Sequence, residues 1–137
     1  LCWLLQQFAH RVARVELTEG AQLRDFVHVA DVSAAIVAVL NHGGDPGLAE
    51  YDVGSGELLS VRTFVETAQS VFQQEAGYMS SQLAFGALAY RPGEVMTPQF
   101  DTCALFALGW RPALSLRDGL ADTVRAFLRE NPPVSGL

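Results

Sequence analysis

The chain has 137 residues, of which 50% are apolar and 18% charged, the balance of one folded domain and not of a disordered tail or a two-lobed enzyme with its own cofactor domain. Fifteen acidic residues against nine basic ones leave a net charge of -6, which excludes a general attraction to nucleic acid or anionic lipid. All nine basic residues are arginine, so the chain has no lysine to supply a Schiff base, a phosphate-loop cation or a Tyr-x-x-x-Lys pair.

Cys2 and Cys103 lie about a hundred positions apart, without a Cys-x-x-Cys pair or a histidine at ligand spacing, so two buried thiols in a cytoplasmic protein are expected and no zinc site. The least charged stretches, Val32 to Gly44 and Ala76 to Tyr90, fall short of the roughly 20 apolar residues a membrane helix needs. In the opening LCWLLQQFAHR the arginine follows the apolar run, which is the wrong order for a secretory signal.

In chain order, Leu1, Leu4, Leu5, Phe8 and Val12 recur at helical spacing and predict an amphipathic helix from Leu1 to about Ala13. It starts without a cap or an initiator Met, as the downstream part of a longer chain would. Arg14 to Leu17 reads as a short strand. Glu19-Gly20 then offers a turn before Leu23 to Val29, a second strand rich in β-formers. Asp31 is placed to cap a helix from about Val32 to Asn41, with Gly43 at its C-terminal end, and the turn-rich HGGDPG follows.

Glu50 to Val53 reads as a strand ended by Gly54-Ser55-Gly56. Ser60 is placed to cap a helix whose Val61, Phe64, Val65, Ala68, Val71 and Phe72 form the clearest apolar stripe in the chain. A strand near Leu83 to Ala89 leads to the loop YRPGEV. Asp101 can cap a short helix to Leu108. Ser115 and Asp118, in S-x-x-D form, open the last helix through Leu120, Val124, Phe127 and Leu128, which Pro132-Pro133 ends.

The glycine pair at Gly54 and Gly56 sits between a strand and a helix, where dinucleotide-binding loops sit. Glu57, Leu58 and Leu59 occupy the places where such a loop needs its further glycine, so a tight turn is expected instead. Val53 likewise stands where a nucleophile elbow around Ser55 needs glycine. His28 has Asp25 three residues before it and Asp31 three after, but strand residues an odd number apart face opposite sides, so His28 reads as a packed or hydrogen-bonded polar residue. His10 and His42 have no evident partners. Arg24 precedes an apolar strand and Arg91 lies in a Pro-Gly loop. On residue type alone either could aim a guanidinium into a cleft or form a surface ion pair with Asp25 or Glu94. The other arginines fall mostly on helix faces.

The run GAQLRDFVHVADVSAAI resembles the G-x-x-x-R-D-[FY]-[IV]-[HY]-V-x-D-[VA] segment of extended short-chain dehydrogenases/reductases, the NAD-dependent epimerase/dehydratase family that acts on nucleotide sugars. YDVGSGELLSV, YRPGEV, FDTCALFALGW and SLRDGLADTV are similar to that family's later signatures, in the same order and at similar spacing. The likeness runs from about Val12 to Phe127. It covers the family's C-terminal, substrate-binding half and implies an α/β fold, a Rossmann-type C-terminal part with short strands packed on about five helices. Residues 1–137 are then one domain, a nucleotide-sugar-binding lobe without the dinucleotide motif.

The resemblance further implies that NAD or NADP is bound outside this chain, by an N-terminal Rossmann half that also carries the Tyr-x-x-x-Lys pair. Carried over residue by residue, Arg24 matches the family's arginine that contacts a phosphate, and Arg91 the arginine of the R-P-G-[DE] loop that contacts the pyrophosphate. Glu94 matches the acid of that loop, which orders the ribose or the loop itself. The implied partner is a nucleotide sugar, and a homodimer of the full-length enzyme is a further expectation. The implied activity of the full protein is hydride transfer to or from a sugar carbon. A rival expectation is a non-catalytic nucleotide-sugar-binding or interaction module that lacks the cofactor domain.

Overall fold

The apolar stripe read from residues 61–72 builds the larger core. In the computed structural model, which describes residues 1–43, 47–78 and 81–132, that stripe lies on α3 (Val61–Ala76), with Val65, Ala68, Val71 and Phe72 buried. Ser60 accepts the Thr63 amide at its N-terminus and Gly77 closes it in the left-handed conformation. Against it pack α1 (Cys2–Ala9) through Leu4, Leu5 and Phe8, and α5 (Leu116–Glu130) through Leu120 and Val124. The rings of Phe8 and Phe72 lie 5.5 Å apart, and Tyr78 meets Phe72 edge-on at 5.7 Å.

Four short strands form two separate pairs. β1 (Arg14–Glu16) runs parallel to β4 (Gln82–Ala84), with Val15 opposite Leu83, and covers the larger core. β2 (Leu23–Arg24) runs antiparallel to β3 (Leu59–Ser60), with Arg24 opposite Leu59. On the far side of β2, α2 (Val29–His42) and α4 (Cys103–Ala107) enclose a smaller cluster of Ala35, Leu105 and Trp110, which Tyr51 also joins. The α/β class with five helices and short strands is the one expected from the sequence.

Several expectations are corrected. The first helix stops at Ala9, four residues early, because Arg11 turns the chain at φ 52° and lays its guanidinium over the Tyr78 ring. The strand expected over Leu23 to Val29 keeps only two residues, since the helix after it starts at Val29. His28, not Asp31, is the N-cap: its Nδ1 accepts the Ala30 amide. Asp31 is instead buried in the first turn, where its two carboxylate oxygens accept the amides of Ala113 and Leu114.

Residues 50–53 form no ladder, and the strand expected to Ala89 ends at Ala84, shortly before Gly86 turns at φ 79°. Thr102, not Asp101, is the N-cap of α4, although Asp101 does accept the Cys103 amide. Both cysteines are free but exposed, because Cys2 sits on the outer side of α1 and Cys103 at the open start of α4. Ser115 caps α5 by accepting the Asp118 amide, as read from the sequence. Residues 44–46 of the HGGDPG turn and Pro133 lie outside the described residues.

Candidate functional site

The short β2 strand positions the candidate site because its last residue and the next one face different loops. The Arg24 guanidinium reaches the 91–95 loop, where one terminal nitrogen donates to the carbonyl of Val95 at 2.7 Å and to that of Leu23 at 2.6 Å. Its other terminal nitrogen meets the Glu94 carboxylate at 2.7 Å. The Leu23 amide adds a bond to the Met96 carbonyl at 2.7 Å, so backbone and side chain together pin this loop to the strand. Both members of the ion pair are partly shielded, with 32% and 24% of their side-chain surface exposed, so water screens the pair less than it would on an open helix face.

Arg91 belongs to the same loop. Its carbonyl accepts the Glu94 amide at 3.1 Å, a tight turn that Gly93 allows with φ 78°, a value that a side chain would strain. The Arg91 side chain is exposed, and among the described residues it has no hydrogen-bond or ion-pair partner. The structure therefore joins Arg24 to Glu94 directly and sets Arg91 in the same turn, three residues away. Of the two alternatives left open by residue type, Arg24 does form an ion pair, and its partner is Glu94, not Asp25.

Asp25 carries the other loop. Its carboxylate accepts the Ser55 hydroxyl at 2.7 Å and the Gly56 amide at 2.9 Å, which fixes the 54–56 turn. A Cβ on Gly54 would stand 2.7 Å from an Asp25 oxygen and 3.1 Å from the Phe100 ring, so the turn fits only glycine there. These contacts also answer whether the turn could cradle a dinucleotide. The amide that a pyrophosphate would need is already bound to a carboxylate, and a second anion there would be repelled. The residues present do not fit the phosphates of NAD(P), in agreement with the missing glycine in the sequence.

Neither of two clefts beside β2 contains Arg24, Arg91 or Glu94. One of about 240 Å³ lies between Phe26, His28 and Phe64 on one side and Leu116, Gly119 and Thr123 on the other. The other, about 250 Å³, adjoins it and is bounded by Ser55, Leu59 and Pro112. His28 is packed beside the first, with Nε2 3.6 Å from the Asp122 carboxylate and 13% of its side chain exposed. It is a packed polar residue, as expected, and also the N-cap of α2, which the sequence reading gave to Asp31. No cluster of three or more histidine, cysteine, aspartate or glutamate side chains suited to a metal ion occurs among the described residues.

Sequence reasoning missed the part played by Asp25 and assigned Arg62 to a solvated helix face. Arg62 in fact donates to the Glu19 carbonyl, pairs with the Glu19 carboxylate and lies 4.1 Å over the Phe85 ring, locking the loop after β1 to the start of α3. No local pattern announces such a contact, because Glu19 and Arg62 are 43 positions apart.

The model of the NAD dependent epimerase/dehydratase family matches residues 1–54. CDP-abequose synthase from Salmonella typhimurium is 31% identical over 112 residues, covering 81% of this chain and 36% of that protein. These matches support a fragment of the NAD dependent epimerase/dehydratase family. GDP-L-fucose synthase 1 of Arabidopsis thaliana, also 31% identical over 112 residues, covers 80% of this chain and 31% of its own length. The structure of MoeE5 in complex with UDP-glucuronic acid and NAD superposes with a TM-score of 0.73 at 28% identity, over 93% of this chain and 40% of that one. The chain thus spans about a third of the length of the curated relatives it matches.

Proposed function

We propose that this chain is the substrate-binding part of an NAD(P)-dependent nucleotide-sugar epimerase, dehydratase or reductase, and that Arg91 and Arg24 anchor the substrate's diphosphate. The observation that carries the reading is the division of labour in the 91–95 loop. Arg24 and Glu94 hold the loop to β2, and Arg91 stands on it with an uncommitted guanidinium.

A guanidinium presents up to five N–H donors. Arg24 uses three in the bonds above and keeps two for a ligand oxygen. Charge-assisted bonds of this kind contribute about 1.5 to 3 kcal/mol each when water is largely excluded. The loop lies outside both clefts, so the contribution here falls towards the lower end until other parts of the protein or the ligand cover it. Glu94 orders the loop through Arg24, which supports the loop-ordering role over direct contact with a ribose.

The structure of MoeE5 holds NAD together with UDP-glucuronic acid. By that likeness the cofactor supplies hydride chemistry at a sugar carbon, and the rest of the protein binds it, since the 54–56 turn here is filled. This chain contributes binding and orientation: a diphosphate fixed at one end leaves the sugar to project towards the reacting centre.

Titration of UDP, GDP, CDP and dTDP into the protein tests the reading. Arg91→Ala is expected to weaken the preferred nucleotide by tenfold or more while leaving the melting temperature unchanged, because the exposed Arg91 side chain has no hydrogen bond or ion pair among the described residues. Arg24→Ala should weaken it at least as much and also loosen the loop. Unchanged affinity in Arg91→Ala removes the anchoring role.

A further inference from the structure

The two ring nitrogens of His28 face contacts that call for different protonation states. As the N-cap of α2, His28 accepts the Ala30 amide on Nδ1 at 3.2 Å, while its carbonyl takes the next two amides, those of Asp31 and Val32. A ring nitrogen that accepts a hydrogen bond carries no proton, so the capping imidazole is neutral and has its single N–H on Nε2. That nitrogen faces α5, where a carboxylate oxygen of Asp122 lies 3.6 Å away. The separation is too long for a hydrogen bond, yet a positively charged ring there would be drawn to the carboxylate.

The neighbours of the ring leave Asp122 as its one free partner among the described residues. The ring lies directly on α5, since a Cβ on Gly119 would stand 3.2 Å from the His28 Cβ and 3.4 Å from its Cδ2. Asp118 of α5 is bound to Ser115, and Asp31, one turn into α2, to the amides of Ala113 and Leu114. Around the cleft that His28 borders, the other titratable groups belong to Asp25, already bound to Ser55 and Gly56, and to the amino group of Leu1; no arginine lines it. The cleft also gives water and protons a route to the ring, whose side chain is 13% exposed.

We propose that His28 is an acid-sensitive partner switch: neutral, it caps α2 through Ala30; protonated, it gives up that cap and pairs with Asp122 of α5. A proton added to Nδ1 sets one N–H against another, donor facing donor, and places a positive charge at the N-terminal end of α2, where the helix dipole opposes it. The same proton turns the long contact with Asp122 into an ion pair. Acid thus moves His28 from the helix it opens to the helix it rests on, and it frees the turn from which Asp31 grips residues 113–114. Histidine is the side chain that ordinarily changes charge between about pH 5 and pH 8, and that interval is the one to scan.

Nitrogen-15 spectra and amide exchange of the protein across that interval test the switch. The neutral ring should show its proton on Nε2. Corrected for the intrinsic pH dependence of exchange, protection of the Ala30 amide should fall about fivefold or more from the alkaline to the acid end, the worth of a typical cap. His28→Asn keeps a capping oxygen and cannot gain the charge, so its Ala30 amide should be equally protected at both ends. Asp122→Asn should lower the melting temperature by about 1 to 3 °C at the acid end and by less than about 1 °C at the alkaline end, as an exposed pair formed only by the charged ring would. A neutral ring protonated on Nδ1, or equal Ala30 protection at both ends in the unaltered protein, overturns the proposal. So does a fall in Ala30 protection that persists in His28→Asn, or an Asp122→Asn effect of the same size at both ends.

Discussion

Around α3, ten buried apolar side chains from α1, β1, α3 and α5 pack on one another, whereas on the α2 side only Ala35, Leu105 and Trp110 are buried, counting the described residues. The first region is held by area and shape. The second is held by polar bonds: Asp31 binds two amides of the 113–114 segment, and Asp25 clasps the 54–56 turn. A cluster of three side chains removes too little apolar surface to order the chain around it, so directional contacts take over. The difference locates the self-sufficient part of the domain at α3 and the part that depends on specific bonds near the candidate site and the exposed face of α2.

That contrast can be broken experimentally, and the most damaging change falls in the larger core. Phe72→Ala removes a fully buried ring between Phe8 and Tyr78 and is expected to cost about 3 to 5 kcal/mol in urea unfolding. Asp31→Ala leaves the amides of Ala113 and Leu114 without an acceptor and should cost about 1 to 3 kcal/mol in the same measurement. Asp31→Asn, which keeps one accepting oxygen, should cost less. If Asp31→Ala is neutral, the smaller region is held by its apolar contacts after all. Ser60→Ala, which strips the cap from the helix of the larger core, should cost about 1 kcal/mol.

The smallest effect is chemical. The Cys103 thiol is pushed above its usual pKa, first by its hydrogen bond to the Asp101 carboxylate and then by that group's charge, and the same bond holds Asp101 below the usual carboxylate range. A raised thiol pKa means less thiolate at pH 8, so wild-type Cys103 should be alkylated slowly by iodoacetamide. Asp101→Ala should lower the pKa and speed the reaction several-fold without changing the fold. An unchanged rate would show that the bond does not form in solution.

Much of this arrangement was legible in the sequence, and the limits have physical causes. The stripe at 61–72 and the caps Ser60, Gly43 and Ser115 are local signals, set by neighbouring residues, and the structure keeps them. Order along the chain also revealed the R-D-F and R-P-G-E segments as parts of one family pattern, which implied that Arg24 and Arg91 serve one ligand; the Arg24–Glu94 pair itself came only with the structure. The strands were overextended because strand-like residues show only that a segment could pair; residues 25–28 and 50–53 have no neighbour strand among the described residues. Asp31 looked like a cap because aspartate before an apolar run is a start signal. Its true contacts, 82 and 83 positions away, leave no trace in local spacing. The exposed thiols were misread for a similar reason, as cysteine burial depends on which side of a helix the neighbours cover.

Arg24 and Asp25 are consecutive, yet one grips the 94–95 backbone and carboxylate and the other grips residues 55–56. The single peptide that joins them is planar and rigid, so a displacement of this two-residue hinge-pin moves both loops at once. Lengthening the chain by a single residue between them would point one of the two side chains the wrong way and release its loop. For an evolving lineage this means that substitutions on the two loops leave the link intact, whereas an insertion between its two residues would uncouple them.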